Sequence, residues 1–114
     1  MLFRSSIIRD FLDVRDVIHA YHILLKAGKS GEIYNVCSGK GIVLREMLDK
    51  MCNLVDIKAN YVEDATLVRS IDNKIIVGSN EKLITETGWR PSYKLEDSLQ
   101  KMLDWWKEIG RAHV

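Results

Sequence analysis

Two arginines in this 114-residue chain stand where they could do chemistry: Arg9, in "RDFLDVRDV", and Arg69, followed three positions later by Asp72 in "VRSIDNK". A guanidinium is a planar fork of N–H donors that matches two phosphate oxygens at once, and a carboxylate close by suits ribose hydroxyls or a base edge. Two such arginines on separate segments could clamp a diphosphate. Arginines so placed more often form surface ion pairs, and spacing alone does not single out the ligand reading.

Other constellations offer less. His19 and His22 stand three apart on one expected helix. Zinc sites use that spacing, but no carboxylate or cysteine is placed to complete a ligand set, so both are expected as solvated helix residues and no metal site is expected. "GKSGEIYNVCSGKG" matches neither the P-loop pattern nor G-x-G-x-x-G, so Gly28, Gly31, Gly39 and Gly41 are expected in turns.

The elements that must position these side chains follow from periodicity. Asp13 can cap a helix with Asp16 at its third position; Val14, Val17, Ile18, Tyr21 and Leu25 recur at helical spacing, and Gly28 is a stop. Ile7, Ile8, Phe11 and Val14 are expected in the core and Arg15 in solvent, with Arg9 at a strand-like entry. Glu32 to Gly39 predicts a buried strand ending in a Ser-Gly turn, and Leu44, Met47, Leu48 and Met51 mark a helix to about Leu54. Ile57 to Val62 alternates as a strand, and residues 63–74 are a polar loop. "IIVG" is a short strand, Ser79 or Asn80 caps a helix that Gly88 ends, and "WRPSY" turns into a last helix faced by Leu95, Leu99, Met102, Leu103 and Trp106. The order predicts an α/β chain, helix-rich with a few short strands.

Composition narrows the function classes. A net charge of +1 with 29% charged residues gives no basic field to attract nucleic acid or an anionic membrane. A 46% hydrophobic content suits a globular chain, and no apolar run approaches the ~20 residues of a membrane span. Cys37 and Cys52 are expected as buried free thiols in a reducing cytoplasm.

"RDFLDVRDVIHAYHILLKAGKSGEIYNVCSGKG", then "LREMLD", then "IVGSNEKLITETGWRPSYKLEDSLQKMLDWW" resemble the C-terminal part of extended short-chain dehydrogenase/reductases that act on nucleotide sugars. Within this NAD-dependent epimerase/dehydratase family the chain is most similar to the branch of GDP-mannose 4,6-dehydratase and GDP-4-keto-6-deoxymannose reductase. The resemblance runs from Arg9 to Lys107 and implies the C-terminal substrate-binding portion of an extended Rossmann-type enzyme. It implies that Arg9 and Arg69 grip the nucleotide diphosphate and that Asp72 contacts the nucleoside. It also implies that NADP and the catalytic Tyr-x-x-x-Lys pair belong to a part outside this chain: Tyr93-Lys94 and Tyr21 with Lys26 do not match that pattern. On this reading the chain has no catalytic, cofactor-binding or metal residues of its own and is inactive alone. Its parent is a cytoplasmic homo-oligomer that dehydrates GDP-mannose. The alternatives are a GDP-4-keto-6-deoxymannose reductase, a UDP-sugar 4-epimerase, or, from another class, a non-catalytic small α/β binding module. Two departures stand out. Val43 occupies a helix-cap position where the family often has Ser or Thr, and Ser70 follows Arg69 where proline is frequent.

The termini have a different expected origin. Leu2-Phe3-Arg4-Ser5 is encodable by CTCTTCCGATCT, whose reverse complement AGATCGGAAGAG, with a G before it and a C after it, reads GAG-ATC-GGA-AGA-GC and encodes Glu108-Ile109-Gly110-Arg111-Ala112. This DNA resembles a common sequencing adaptor. Residues 1–5 and 108–114 are therefore expected to be adaptor scars around a nucleotide-sugar-binding portion at 6–107. The genomic locus tests this. Codons for a Gly-rich turn and Tyr-x-x-x-Lys are expected upstream of Ser6; genomic codons for Met1 to Ser5 at that junction would refute the scar.

Overall fold

The computed structural model describes residues 6–62, 66 and 73–112. Seven elements follow one another: β1 (Ile8–Asp10), α1 (Val14–Ala27), β2 (Gly41–Val43), α2 (Leu44–Leu54), β3 (Ile75–Ile76), α3 (Glu81–Thr87) and α4 (Leu95–Ala112). The strands form one sheet in the order β2-β1-β3. β2 runs antiparallel to β1, pairing Arg9 with Ile42, whereas β3 runs parallel to it, pairing Arg9 with Ile76. The chain is the expected helix-rich α/β arrangement, and no helix among the described residues is long and apolar enough to cross a membrane.

Local chemistry sets the helix ends. Asp13 caps α1, accepting from the Arg15 amide at 2.8 Å, and the Gly28 amide closes the last turn on the Leu24 carbonyl. Val43 gives α2 no side-chain cap. The chain instead passes straight from β2 into α2, and the Leu44 amide finds the Ile7 carbonyl at 2.9 Å. Gly88 ends α3 in the left-handed region at φ 75°, where a side chain would be strained.

The core is small. Ala20, Leu83 and Trp89 form its centre, packed by Leu12, Ile23, Leu24, Tyr34, Val36 and Ile84. Met47 of α2 and Leu99 of α4 are also buried. Asp16 lies among these apolar groups with no exposed surface. Its Oδ1 accepts from the Ser92 amide (3.0 Å) and hydroxyl (2.9 Å), its Oδ2 from the Tyr93 amide (3.2 Å), and its carbonyl from the Trp89 indole (3.1 Å). A buried carboxylate is tolerable when donors surround it this way. The chain forms a slab, 47 × 41 × 21 Å, with a radius of gyration of 17.3 Å against about 13 Å for a compact domain of this length.

Several expectations are corrected. Glu32 to Gly39 forms no ladder: Lys82 donates to the Ile33 carbonyl and Asn80 to the Cys37 carbonyl, and no strand lies beside it among the described residues. In Ile57 to Val62 only Val62 makes an isolated bridge. Gly41 is a strand residue rather than a turn residue, paired with Asp10, and a side chain there would meet Ile8 Cγ2 at 2.7 Å. Val14 is 67% exposed and continues into an exposed apolar stripe of Ile18, Tyr21 and Leu25 along α1. Trp106 and Met102 of α4 are exposed too. The two cysteines are free, as expected, but half-buried.

The Asp16 clamp gives a direct prediction. In the full-length protein, Asp16→Ala should cost about 3 kcal/mol, because it strands the Ser92 and Tyr93 amides, whereas Ser92→Ala, which leaves both amides paired, should cost about 1 kcal/mol. Urea denaturation of the two variants checks this; equal losses would refute it.

Candidate functional site

Arg9 sits in the middle of the central strand, so its side chain leaves one face of the sheet while Ile8 and Asp10 leave the other. The half-buried guanidinium folds back over the strand: Nη1 donates to the Ile8 carbonyl at 2.9 Å and reaches the Lys74 carbonyl at 3.4 Å. Nε and Nη2 have no partner among the described residues. One nitrogen thus anchors the fork to β1 and to the residue before β3. Arg69 and Asp72, the other two predicted site residues, lie outside the described residues.

On the opposite face Asp10 gathers three segments. Its Oδ1 accepts from the Ser38 amide (2.8 Å) and hydroxyl (2.6 Å), and its Oδ2 from the amides of Gly39 (2.9 Å) and Gly78 (3.3 Å). Partial burial pushes this carboxyl upward, but the Ser38 hydroxyl and the three amides prevail and hold it below the ordinary carboxylate value. The turn it grips is held from behind as well: the Asn80 side chain donates to the carbonyls of Cys37 (3.0 Å) and Ser38 (3.2 Å). Gly39 turns there at φ 76°. Cys37 lies against Gly78, and burial followed by the Asp10 charge pushes its thiol up.

Asp13 is more than a helix cap. Arg15 grips it with Nε at 3.0 Å and Nη2 at 2.9 Å, and the Ser98 hydroxyl of α4 also donates to it. The Arg15 side chain holds this carboxyl far below the usual range; burial opposes and Ser98 assists. Arg15 also stacks over the Tyr93 ring at 3.7 Å. It was expected to face solvent freely, and is instead fixed on two sides.

A groove of about 1010 Å³ opens between the end of β1, α2, α4 and the turn at Pro91, lined by Phe11, Met47, Met51, Leu99 and Met102 with Lys40, Lys50, Arg90 and Lys94. Arg9 does not line it. Tyr61 donates to Asp49 at 2.6 Å, a bond that raises the phenol. Among the described residues no three metal-ligating side chains come together, and His19 and His22 are exposed on α1. The sequence reading overlooked Asp10 and Asp16 as clamps. The signal available was a carboxylate every third residue, more than one helix start needs.

The family model for GDP-mannose 4,6 dehydratase matches residues 1–102. A GDP-6-deoxy-D-mannose reductase from Pseudomonas aeruginosa is 36% identical over 103 residues, which are 90% of this chain and 34% of the relative. RMD from Pseudomonas aeruginosa, complexed with NADPH, superposes with a TM-score of 0.87 at 33% identity over 95% of this chain and 35% of that one. The Bordetella bronchiseptica enzyme WbmG, in complex with NAD and UDP, gives a TM-score of 0.78 at 27% identity over 95% and 34%. The chain therefore spans about a third of the length of the proteins it matches.

The lowered acids give a pH prediction with a definite sign. A carboxyl held below its ordinary value of 3.8 stabilises the fold fully above that value and stops doing so as pH falls through its folded value. The stability gap between wild type and Asp13→Asn should therefore be largest near neutrality and shrink as pH falls below about 4. Urea midpoints from pH 7 downward check this; a gap that stays constant would refute it.

Proposed function

The chain belongs to the GDP-mannose 4,6 dehydratase family, and from that membership we propose that it is the nucleotide-sugar-binding portion of a GDP-mannose 4,6-dehydratase. The observation that carries this reading is the seating of Arg9: one guanidinium nitrogen is tied to the sheet, and the other donors have no partner among the described residues. In the proposal Arg9 and Arg69 grip the diphosphate of the GDP-sugar and Asp72 contacts its nucleoside. Two charge-assisted grips on a part of the substrate that does not react fix the sugar's position, and such remote binding energy orients the reacting carbon.

The sequence contains neither G-x-G-x-x-G nor Tyr-x-x-x-Lys. NADP is assigned to the remainder of the parent enzyme, and this chain's own part is to bind and orient. The parent is proposed to work as a cytoplasmic homo-oligomer. A second reading, reductase of the 4-keto-6-deoxy sugar, is favoured by the 36% identical relative, itself a GDP-6-deoxy-D-mannose reductase.

The full-length enzyme separates the readings. Given GDP-mannose and NADP, it should form GDP-4-keto-6-deoxymannose. Inert GDP-mannose, with NADPH consumed on the keto sugar, would establish the reductase instead. Tighter binding of UDP than GDP would overturn the GDP assignment in favour of a UDP-sugar epimerase. Arg9→Ala and Arg69→Ala should each weaken GDP binding by about 1.5 to 3 kcal/mol by calorimetry; unchanged affinity in both would remove the diphosphate role.

A further inference from the structure

We infer that Lys74 is a second cationic arm of the anion site at Arg9. This rests on the proposed diphosphate role of Arg9 and does not depend on where Arg69 stands.

Register places the two cations on one face of the sheet. Side chains that pair across neighbouring strands leave by the same face, so Arg9 emerges between Ile42 of β2 and Ile76 of β3. Counting back two residues from Ile76 along the strand reaches Lys74, on that same face. The ladder still holds there: the Lys74 carbonyl takes the Ile8 amide at 2.8 Å and Arg9 Nη1 at 3.4 Å. The Arg9 guanidinium therefore lies against the main chain of Lys74. Lys74 is exposed, and its four-carbon stem is long enough to bring the ammonium to an anion held by Arg9 Nε and Nη2.

Charge on this face is one-sided. The ion pairs among the described residues are Arg15–Asp13, Lys29–Glu86, Lys50–Glu96 and Lys82–Glu32, and neither Arg9 nor Lys74 is in any of them. Asp10, next to Arg9 in sequence, leaves by the opposite face, where Ser38, Gly39 and Gly78 take it up. Ile42 and Ile76, which flank Arg9, supply no counter-charge. Two like charges held close with no anion between them repel, and a ligand with two negative groups relieves that repulsion. A diphosphate has this form. The arms differ in kind. Arg9 is half-buried and tied to the sheet, so it offers a planar fork in a set direction; Lys74 is a point charge on a flexible stem, which attracts a phosphate with little demand on direction.

Substitution at position 74 separates the charge from the main chain. Lys74→Met keeps an unbranched stem and the carbonyl that Ile8 and Arg9 use, and removes the ammonium alone. Lys74→Arg keeps the charge.

The test titrates GDP and guanosine into the full-length enzyme carrying Lys74→Met, Lys74→Arg or Arg9→Ala, at low salt and at about 0.5 M salt. At low salt Lys74→Met should weaken GDP about fivefold and leave guanosine, which has no phosphate, within about twofold. Lys74→Arg should return GDP binding to within about twofold of wild type. The loss in Lys74→Met should shrink at the higher salt, because an exposed charge is screened. Wild-type GDP affinity in Lys74→Met, with Arg9→Ala weakened, overturns the inference. So does an equal loss for guanosine, or a Lys74→Arg enzyme as weak as Lys74→Met, either of which makes position 74 structural. If Arg9→Ala leaves GDP binding unchanged, it is the diphosphate reading that fails. Should Lys74→Met not fold, Lys74→Gln makes the same comparison and the same outcomes decide it.

Discussion

Asp10, Asp13 and Asp16 each take hydrogen bonds from a segment far away in sequence: Asp10 from Ser38, Gly39 and Gly78, Asp13 from Ser98, and Asp16 from Ser92 and Tyr93. The rest of the chain depends on these bonds, because apolar burial alone gives it little cohesion. The central cluster of buried residues is Ala20, Leu83 and Trp89, and the slab is 21 Å through its thinnest axis. Charge-assisted bonds from an anion to amides are stronger than neutral ones and fix direction as well as distance. They suit a molecule with much surface and little interior.

The three acids do different work because the backbone changes period between them. Asp10 ends a strand, Asp13 is the extended residue that caps α1, and Asp16 lies in its first turn. The carboxylates therefore point three ways: to the sheet's flanks, to α4, and to the turn after Trp89. Arg9 occupies the one position of β1 whose side chain leaves by the other face, where it is held by the Ile8 and Lys74 carbonyls. Membership of the GDP-mannose 4,6 dehydratase family gives this frame its context. The chain covers about a third of its relatives' length.

Helices were the legible part of the sequence. The apolar spacing of α1 and α2 and the glycines at 28 and 88 marked helix extents closely, because helix periodicity and C-terminal glycines act within a few residues; α4 began where its apolar face did but ran on to Ala112, past its last apolar marker at Trp106. Strands were less so. Glu32 to Gly39 has the composition of a buried strand, but a strand needs a neighbour, and neighbours are a property of the fold rather than of the segment. Ile8–Asp10 and Gly41–Val43 pair with each other despite their brevity, through a close approach that only Gly41 permits. Arg9 could be singled out from type and motif. The acid at every third position hinted at Asp10 and Asp16, but what they hold could not be read, since their partners lie 28 to 77 residues away and most are main-chain amides that any sequence possesses.

That last property bears on how such a chain can diverge. The three aspartates receive main-chain amides from six positions: Arg15, Ser38, Gly39, Gly78, Ser92 and Tyr93. An amide is offered by every residue except proline, so the receiving loops carry only a light constraint on identity, while the acid end of each clamp has almost no substitute. Mutational drift in a chain so arranged should be lopsided. Loops could change side chains freely provided they avoid proline and keep the glycines that geometry demands, while the short acidic run beside Arg9 stays nearly frozen.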